Sequence, residues 1–267
     1  MDPVTAQRLA KATRDLRVGI LSIHVWPTLA WQEIRQRYRR SVLGPFWLTI
    51  GIGVLIAGMG PLYSRLFGQE TASYFPHLAV SFIVWMLLAS LINEACTCFT
   101  VAEGLIKEGR MPLTVHVLRV VWKNLVIFAH HALILVVLFF FYPPPFTWKL
   151  LLVPLAIVAI AVNAVWAGLF LGMLCARFRD IPLIIQSVVQ VMFFLTPVLW
   201  RPQSLGRHAW AADWNPLNHL LEIVRAPLVD GRVAVGSWVA VVVMALVGFV
   251  LVIPVFARFR ARIAYWV

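Results

Sequence analysis

The sequence predicts an all-α integral membrane protein, on three observations. Apolar residues make up 61% of the chain and charged residues 13%, against about 45–50% and about 25% in soluble domains. Six segments have the roughly 20 mainly apolar residues needed to cross a hydrocarbon core. They are approximately Pro45–Phe67, Pro76–Thr100, Val115–Tyr142, Leu150–Ala176, Ile181–Leu199 and Ser237–Phe256. The basic residues gather in the tails and in loops beside these segments, as the positive-inside rule requires.

The chain divides into a cytoplasmic tail (1–44), a six-span domain (45–256) and a basic C-terminal tail (257–267). Residues 1–40 are too polar to contain the apolar region of a signal peptide. Trp31, Ile34, Tyr38 and Val42 recur every three or four residues, so they predict one apolar stripe on a helix. Arg35, Arg37, Arg39 and Arg40 lie off that stripe, as on a helix lying flat at a head-group surface. Gly44 and Pro45 end it and open the first span.

Glu94, beside Asn93 in the second span, is an intramembrane carboxylate and by default a functional candidate. The competing reading pairs it with a base such as Lys123 or Arg119. The loop after it, EGLIKEGRMP from Glu103 to Pro112, is short and charged. It reads either as a stubby docking helix carrying Glu103, Lys107, Glu108 and Arg110 or as a solvated turn. His130 and His131 fall midway along the third span; a proton relay and plain interhelical hydrogen bonding both fit. In the fourth span Ala164, Gly168, Gly172 and Ala176 recur every four residues, a close-packing pattern. Trp85, Trp166, Phe193 and Phe194 offer stacking faces for sugar rings or ordinary packing. Between spans five and six, Leu217, Leu220, Leu221, Val224 and Leu228 form a helical stripe bounded by Pro216 and Pro227. This predicts short re-entrant helices, or a surface helix in an ordinary loop.

An even number of spans puts both termini on one side. Only Arg65, Lys149, Arg201, Arg207, Arg225 and Arg232 of the 23 Lys and Arg residues fall on the other side. The termini are therefore expected in the cytoplasm. The net charge of +12 reflects this arrangement and anionic lipid rather than nucleic acid. Three cysteines give no disulfide framework and too few ligands for a zinc site. No Gly-Lys dipeptide occurs, which excludes a nucleotide-binding P-loop, and HExxH and GxSxG motifs are absent. No cofactor site and no catalytic residue are expected in the chain itself; energy for transport has to come from elsewhere.

Three stretches carry a family resemblance: RQRYRRSVLGPFWLTI (Arg35–Ile50), RFRDIPLIIQSVVQVMFFLTPVLW (Arg177–Trp200) and NPLNHLLEIVRAPLVDG (Asn215–Gly231). From about Trp31 onward the chain resembles the membrane subunits of ABC exporters for bacterial polysaccharides, and most closely the O-antigen lipopolysaccharide permeases. The resemblance implies a type-2 exporter fold in the inner membrane, a homodimer, and two copies of a P-loop ATPase subunit that binds ATP and Mg. It implies a glycan on undecaprenyl diphosphate as substrate. Trp31–Arg40 becomes the interface helix, with arginines facing lipid diphosphate, and Glu103–Pro112 becomes the coupling helix. The first and fifth spans line the channel. Residues 204–229, with Asn215, Pro216, Glu222 and Arg225, become the gate helices. Capsule and teichoic acid permeases are the near alternative. An exporter of a small lipid or drug on the same fold is disfavoured by the RYRRSVLGPFW stretch. A proton-coupled transporter predicts internal repeats, and none is visible. A membrane glycosyltransferase predicts an acidic metal-binding motif, also not visible.

Overall fold

The structure is a computed structural model that describes residues 3–39, 41, 44, 46–109, 111–208 and 210–267. Arg40, Val42, Pro45 and Arg110, named above, lie outside the described residues. Among the described residues the chain is helical, without strands. Its α-helices are α1 (Pro3–Leu21), α2 (Val25–Tyr38), α3 (Phe46–Leu66), α4 (Thr71–Thr97), α5 (Glu103–Lys107) and α6 (Leu113–Phe141). They continue with α7 (Leu152–Arg177), α8 (Ile181–Leu195), α9 (Trp210–Asp213), α10 (Pro216–Arg225), α11 (Val235–Phe259) and α12 (Ile263–Trp266).

Among the described residues five helices are long and apolar enough to cross a membrane: α3, α4, α6, α7 and α11. α8 is apolar but has only 15 residues, which is about 22 Å at 1.5 Å per residue, less than the ~30 Å hydrocarbon core. The expected fifth span, drawn to Leu199, thus stops at Leu195. Pro197 explains the stop, because a residue preceding proline is pushed out of the helical region. Thr196 accordingly has ψ 138°.

α4 is the central helix. It packs against α3, α6, α7, α8 and α10, and Leu78, Val80, Ile83, Val84, Leu87 and Leu91 are buried around it. A helix apolar on every side belongs in the interior. α7 meets α4 and α6 through its small residues: a Cβ on Gly168 would lie 2.6 Å from Val117, and one on Gly172 would lie 2.5 Å from the Cys98 sulfur. The four-residue stripe is a packing seam. α3 and α8 are the opposite case. α3 buries only Thr49, Ile56, Gly60 and Ser64, and α8 only Val189.

Of the stretch before the first span, α1 and α2 pack on the bundle. α1 buries Ala12, Asp15, Leu16 and Gly19 against α6 and α11, and α2 lies on α6. The helix expected at Trp31–Arg40 therefore starts earlier and is rotated. Ile34, expected on a stripe facing lipid, is buried within the protein, Trp31 is 53% exposed, and Glu33 is turned inward, toward Lys123 and Arg119. At the C-terminal end, α11 runs three residues into the stretch drawn as a tail, and α12 follows it.

Candidate functional site: the charged end of the bundle and the opposite cap

The helices bring α1, α2, α5 and α12 to one end of the bundle. Asp15 is the clearest fastener there. Its carboxylate accepts from the Leu113 and Thr114 backbone N–H groups at 3.3 and 3.1 Å and from the Thr114 hydroxyl at 2.9 Å. It also takes the Arg260 guanidinium at 2.7 Å. Asp15 thus satisfies the first backbone donors of α6 and ties that helix to the end of α11. The sequence offered one signal for it: in α1, Asp15 is the single acid among Arg8, Lys11, Arg14 and Arg17.

Glu94 is not alone in its span. It accepts from Lys123 at 2.9 Å and from the Asn124 amide at 2.7 Å, and Arg37 lies 3.5 Å away. Lys123 also pairs with Glu33, and Arg119 approaches Glu33 at 3.6 Å. Of the two Glu94 readings, the ion pair is the one the geometry displays. Glu33 escaped the sequence reading because it sits between Gln32 and Ile34 on what looked like a lipid-facing helix. Of the arginines expected on α2, Arg37 leans on Glu94. Arg35 and Arg39 are exposed and have no carboxylate partner among the described residues. They are free to meet phosphate by charge-assisted hydrogen bonds.

α5 occupies the expected charged loop. Glu103 and Lys107 pair at 2.5 Å one turn apart, and the Lys107 ammonium holds the Glu103 carboxyl below its usual range. Ile106 is buried and anchors the helix, with contacts to α12, while Glu103, Lys107 and Glu108 face outward. A short helix anchored by one apolar residue and presenting charges suits contact with a soluble partner.

At the opposite end α10 packs on α4, α7 and α11. Asn215 caps it by accepting from Leu217 N–H at 3.0 Å, and Pro216 takes the first turn. The Asn215 amide also donates to Thr196 at 2.8 Å. Glu222 and Arg225 form a buried ion pair, and Arg232 reaches the same carboxylate. Arg225 further donates to the Pro197 carbonyl at 2.6 Å and to Ser81 at 3.3 Å. The Tyr74 hydroxyl donates to the Leu199 carbonyl at 2.7 Å. α10, α4 and the chain that follows α8 are thereby locked into one cap. Tyr74 and Ser81 were missed in sequence because their partners are more than 100 residues away, and Arg232 because a charge in a polar loop next to Asp230 looks solvated.

Three of the four aromatics form one run of ring contacts, with Phe193 and Phe194 at 5.2 Å, and Trp166 stands apart from them. Trp85 and Phe193 pack with ring centroids 5.7 Å apart, and Phe194 is 62% exposed on α8. Trp166 lies elsewhere, against Gly248 of α11, with its indole N–H donating to Asn163 at 3.0 Å. His131 meets the Thr49 hydroxyl at 3.1 Å, linking α6 to α3. His130 bonds the Val126 carbonyl at 2.7 Å within its own helix. The two rings are held by separate partners.

The long apolar helices thus form a bundle with short charged helices at one end and a hydrogen-bonded helical cap at the other. The ABC-2 type transporter family profile matches residues 24–229, and the chain belongs to that family. Its members are membrane transport subunits rather than catalysts, and membership implies a partner ATPase within an ABC transporter. The O-antigen export system permease protein RfbA of Myxococcus xanthus is 21% identical over 197 residues, covering 74% of this chain and 76% of that protein.

Proposed function

We propose that this chain is the permease of an ABC exporter that moves an undecaprenyl-diphosphate-linked polysaccharide, O-antigen, from the cytoplasm to the periplasm. It works as a homodimer with two ATPase subunits in the inner membrane, both termini in the cytoplasm. α8 serves as a short fifth span completed by the cap. The observation that carries this reading is the similarity to an O-antigen permease over three quarters of both chains. Three features of the bundle support it. α5 presents charges at the end where the basic helices gather. Arg35 and Arg39 stand unpaired beside that end. The outward faces of α3 and α8, the helices expected to line a channel, are apolar and unpartnered in the single chain, including Trp47, Ile50 and Val54 of α3 and Ile184, Val188 and Val191 of α8. Two copies meeting across these faces would enclose a path wide enough for a polymer.

The test is a chromosomal deletion read by immunoblot of surface glycan together with extraction of lipid-linked glycan. The expected result is loss of long-chain surface O-antigen with accumulation of the lipid-linked form inside. Normal surface O-antigen in the deletion strain overturns the reading.

A further inference from the structure

The ends of α7, α11 and α12 enclose a cavity of about 380 Å³ that the transport mechanism does not use. Arg177 closes α7, and Arg262 lies in the short turn after α11. Both guanidiniums line the cavity and rest on rings: Arg177 is 5.7 Å from the centroids of Phe178 and Trp266, and Arg262 is 5.8 Å from Phe259. Phe259 and Trp266 pack on each other at 5.8 Å. Stacking on aromatic faces holds a guanidinium in place while leaving its N–H edge free.

The charge is uncompensated. Arg260, in the same turn as Arg262, is neutralised by Asp15. Arg177 and Arg262 have no carboxylate within 4 Å among the described residues, and no acid lines the cavity. Below the two cations the wall is apolar and runs into the span along Phe170, Leu174 and Val255. Phe170 is 43% exposed, so the cavity opens sideways toward lipid. Two cations at the end of spanning helices, above an apolar wall open to the bilayer, form a binding site for a phosphate with a hydrocarbon chain.

We propose that this cavity is a resident site for an anionic phospholipid, with its phosphate between Arg177 and Arg262 and one acyl chain along Phe170, Leu174 and Val255. An acidic peptide from a soluble partner would leave that apolar wall unused. The site stands apart from the glycan reading, since it requires only that α7 and α11 cross a membrane. It also adjoins α12, which contacts α5, so an occupied site would brace the coupling helix from below.

The experiment uses the full-length protein in mild detergent, with phosphatidylglycerol and phosphatidylcholine added in equal amounts and retained lipid counted by native mass spectrometry. Wild type should retain phosphatidylglycerol in preference. R177Q/R262Q should lose about fivefold or more of it, as two charge-assisted contacts are removed. R8Q/R14Q, which removes two cations of α1 outside the cavity, should lose less than about twofold, since a charge with no apolar wall beside it holds lipid only loosely. R262Q alone, on an exposed turn, carries the test should the double variant not fold, with a loss of about twofold or more. Equal retention by wild type and R177Q/R262Q, or equal losses in both double variants, overturns the proposal. So does displacement of phosphatidylglycerol by an equal amount of undecaprenyl phosphate, which would assign the cavity to the glycan carrier.

Discussion

Lys123 reaches two carboxylates from a side chain that is only 4% exposed. Removing one partner of a buried ion pair costs about 3–5 kcal/mol where the other is left charged and dry; Glu33 and Glu94 are 27% and 23% exposed and keep Arg119 and Arg37 nearby, so the lower end, about 3 kcal/mol, applies. Lys123→Met should therefore destabilise the folded permease by roughly that amount, because Glu33 and Glu94 both lose their shared cation. Glu94→Gln is the milder change. Lys123 keeps Glu33, and the new amide oxygen still accepts from Asn124, so the loss should be about 1 kcal/mol. Denaturant unfolding in detergent, followed by tryptophan fluorescence, measures both. Equal losses would show that Lys123 does not join the two acids. At this scale the sequence displayed Glu94, because a charge inside a span stands out, and even pointed to Lys123. It did not display Glu33 or Asp15. An acid flanked by polar and basic neighbours looks solvated until the fold sets cations or helix N-terminal donors against it.

Among the elements, α3, α4, α6, α7 and α11 were legible from apolar length alone, with ends within a few residues of those expected except at the start of α4. α8 was legible in existence but not in extent, because an apolar run continues through Thr196-Pro197 while the backbone does not. α1 was not legible at all. Its buried face is Ala12, Leu16 and Gly19 around a carboxylate, too small an apolar stripe to signal packing. α2 was legible as a helix but misphased, since its inner face is set by Glu33 as much as by Ile34. α5 carries the element-scale prediction. Lys107→Glu with Glu108→Lys should abolish export, read as surface glycan, while leaving the amount of membrane-inserted protein unchanged. The swap sets a second carboxylate one turn from Glu103, and like charges at that spacing repel only weakly on an exposed helix. The fold should survive, with only these two surface charges reversed. Normal export in this variant would reduce α5 to a turn.

For the molecule as a whole, two ends of opposite character frame a bundle whose α3 and α8 faces lack partners. Asp15 joins α1 to the start of α6 and to Arg260 after α11, ion pairs join α2 to α4 and α6, and α5 contacts α12; on the proposed function, motion imposed on α5 would pass to the spans through such contacts. At the other end, Arg225 and Tyr74 hold the cap to α4, and opening a path there requires those bonds to exchange. A permease working as proposed would need two packed arrangements of these contacts rather than a continuum, with the ATPase cycle driving it between them. The measurement closest to this claim is translocation by proteoliposomes containing the chain and its partner ATPase, supplied with undecaprenyl-diphosphate-linked O-antigen on the ATPase side. The expected result is that the chain alone hydrolyses no ATP, and that with the ATPase present, ATP drives the glycan to the opposite leaflet. ATP hydrolysis by the isolated chain, or glycan movement that is the same with and without ATP, would contradict it.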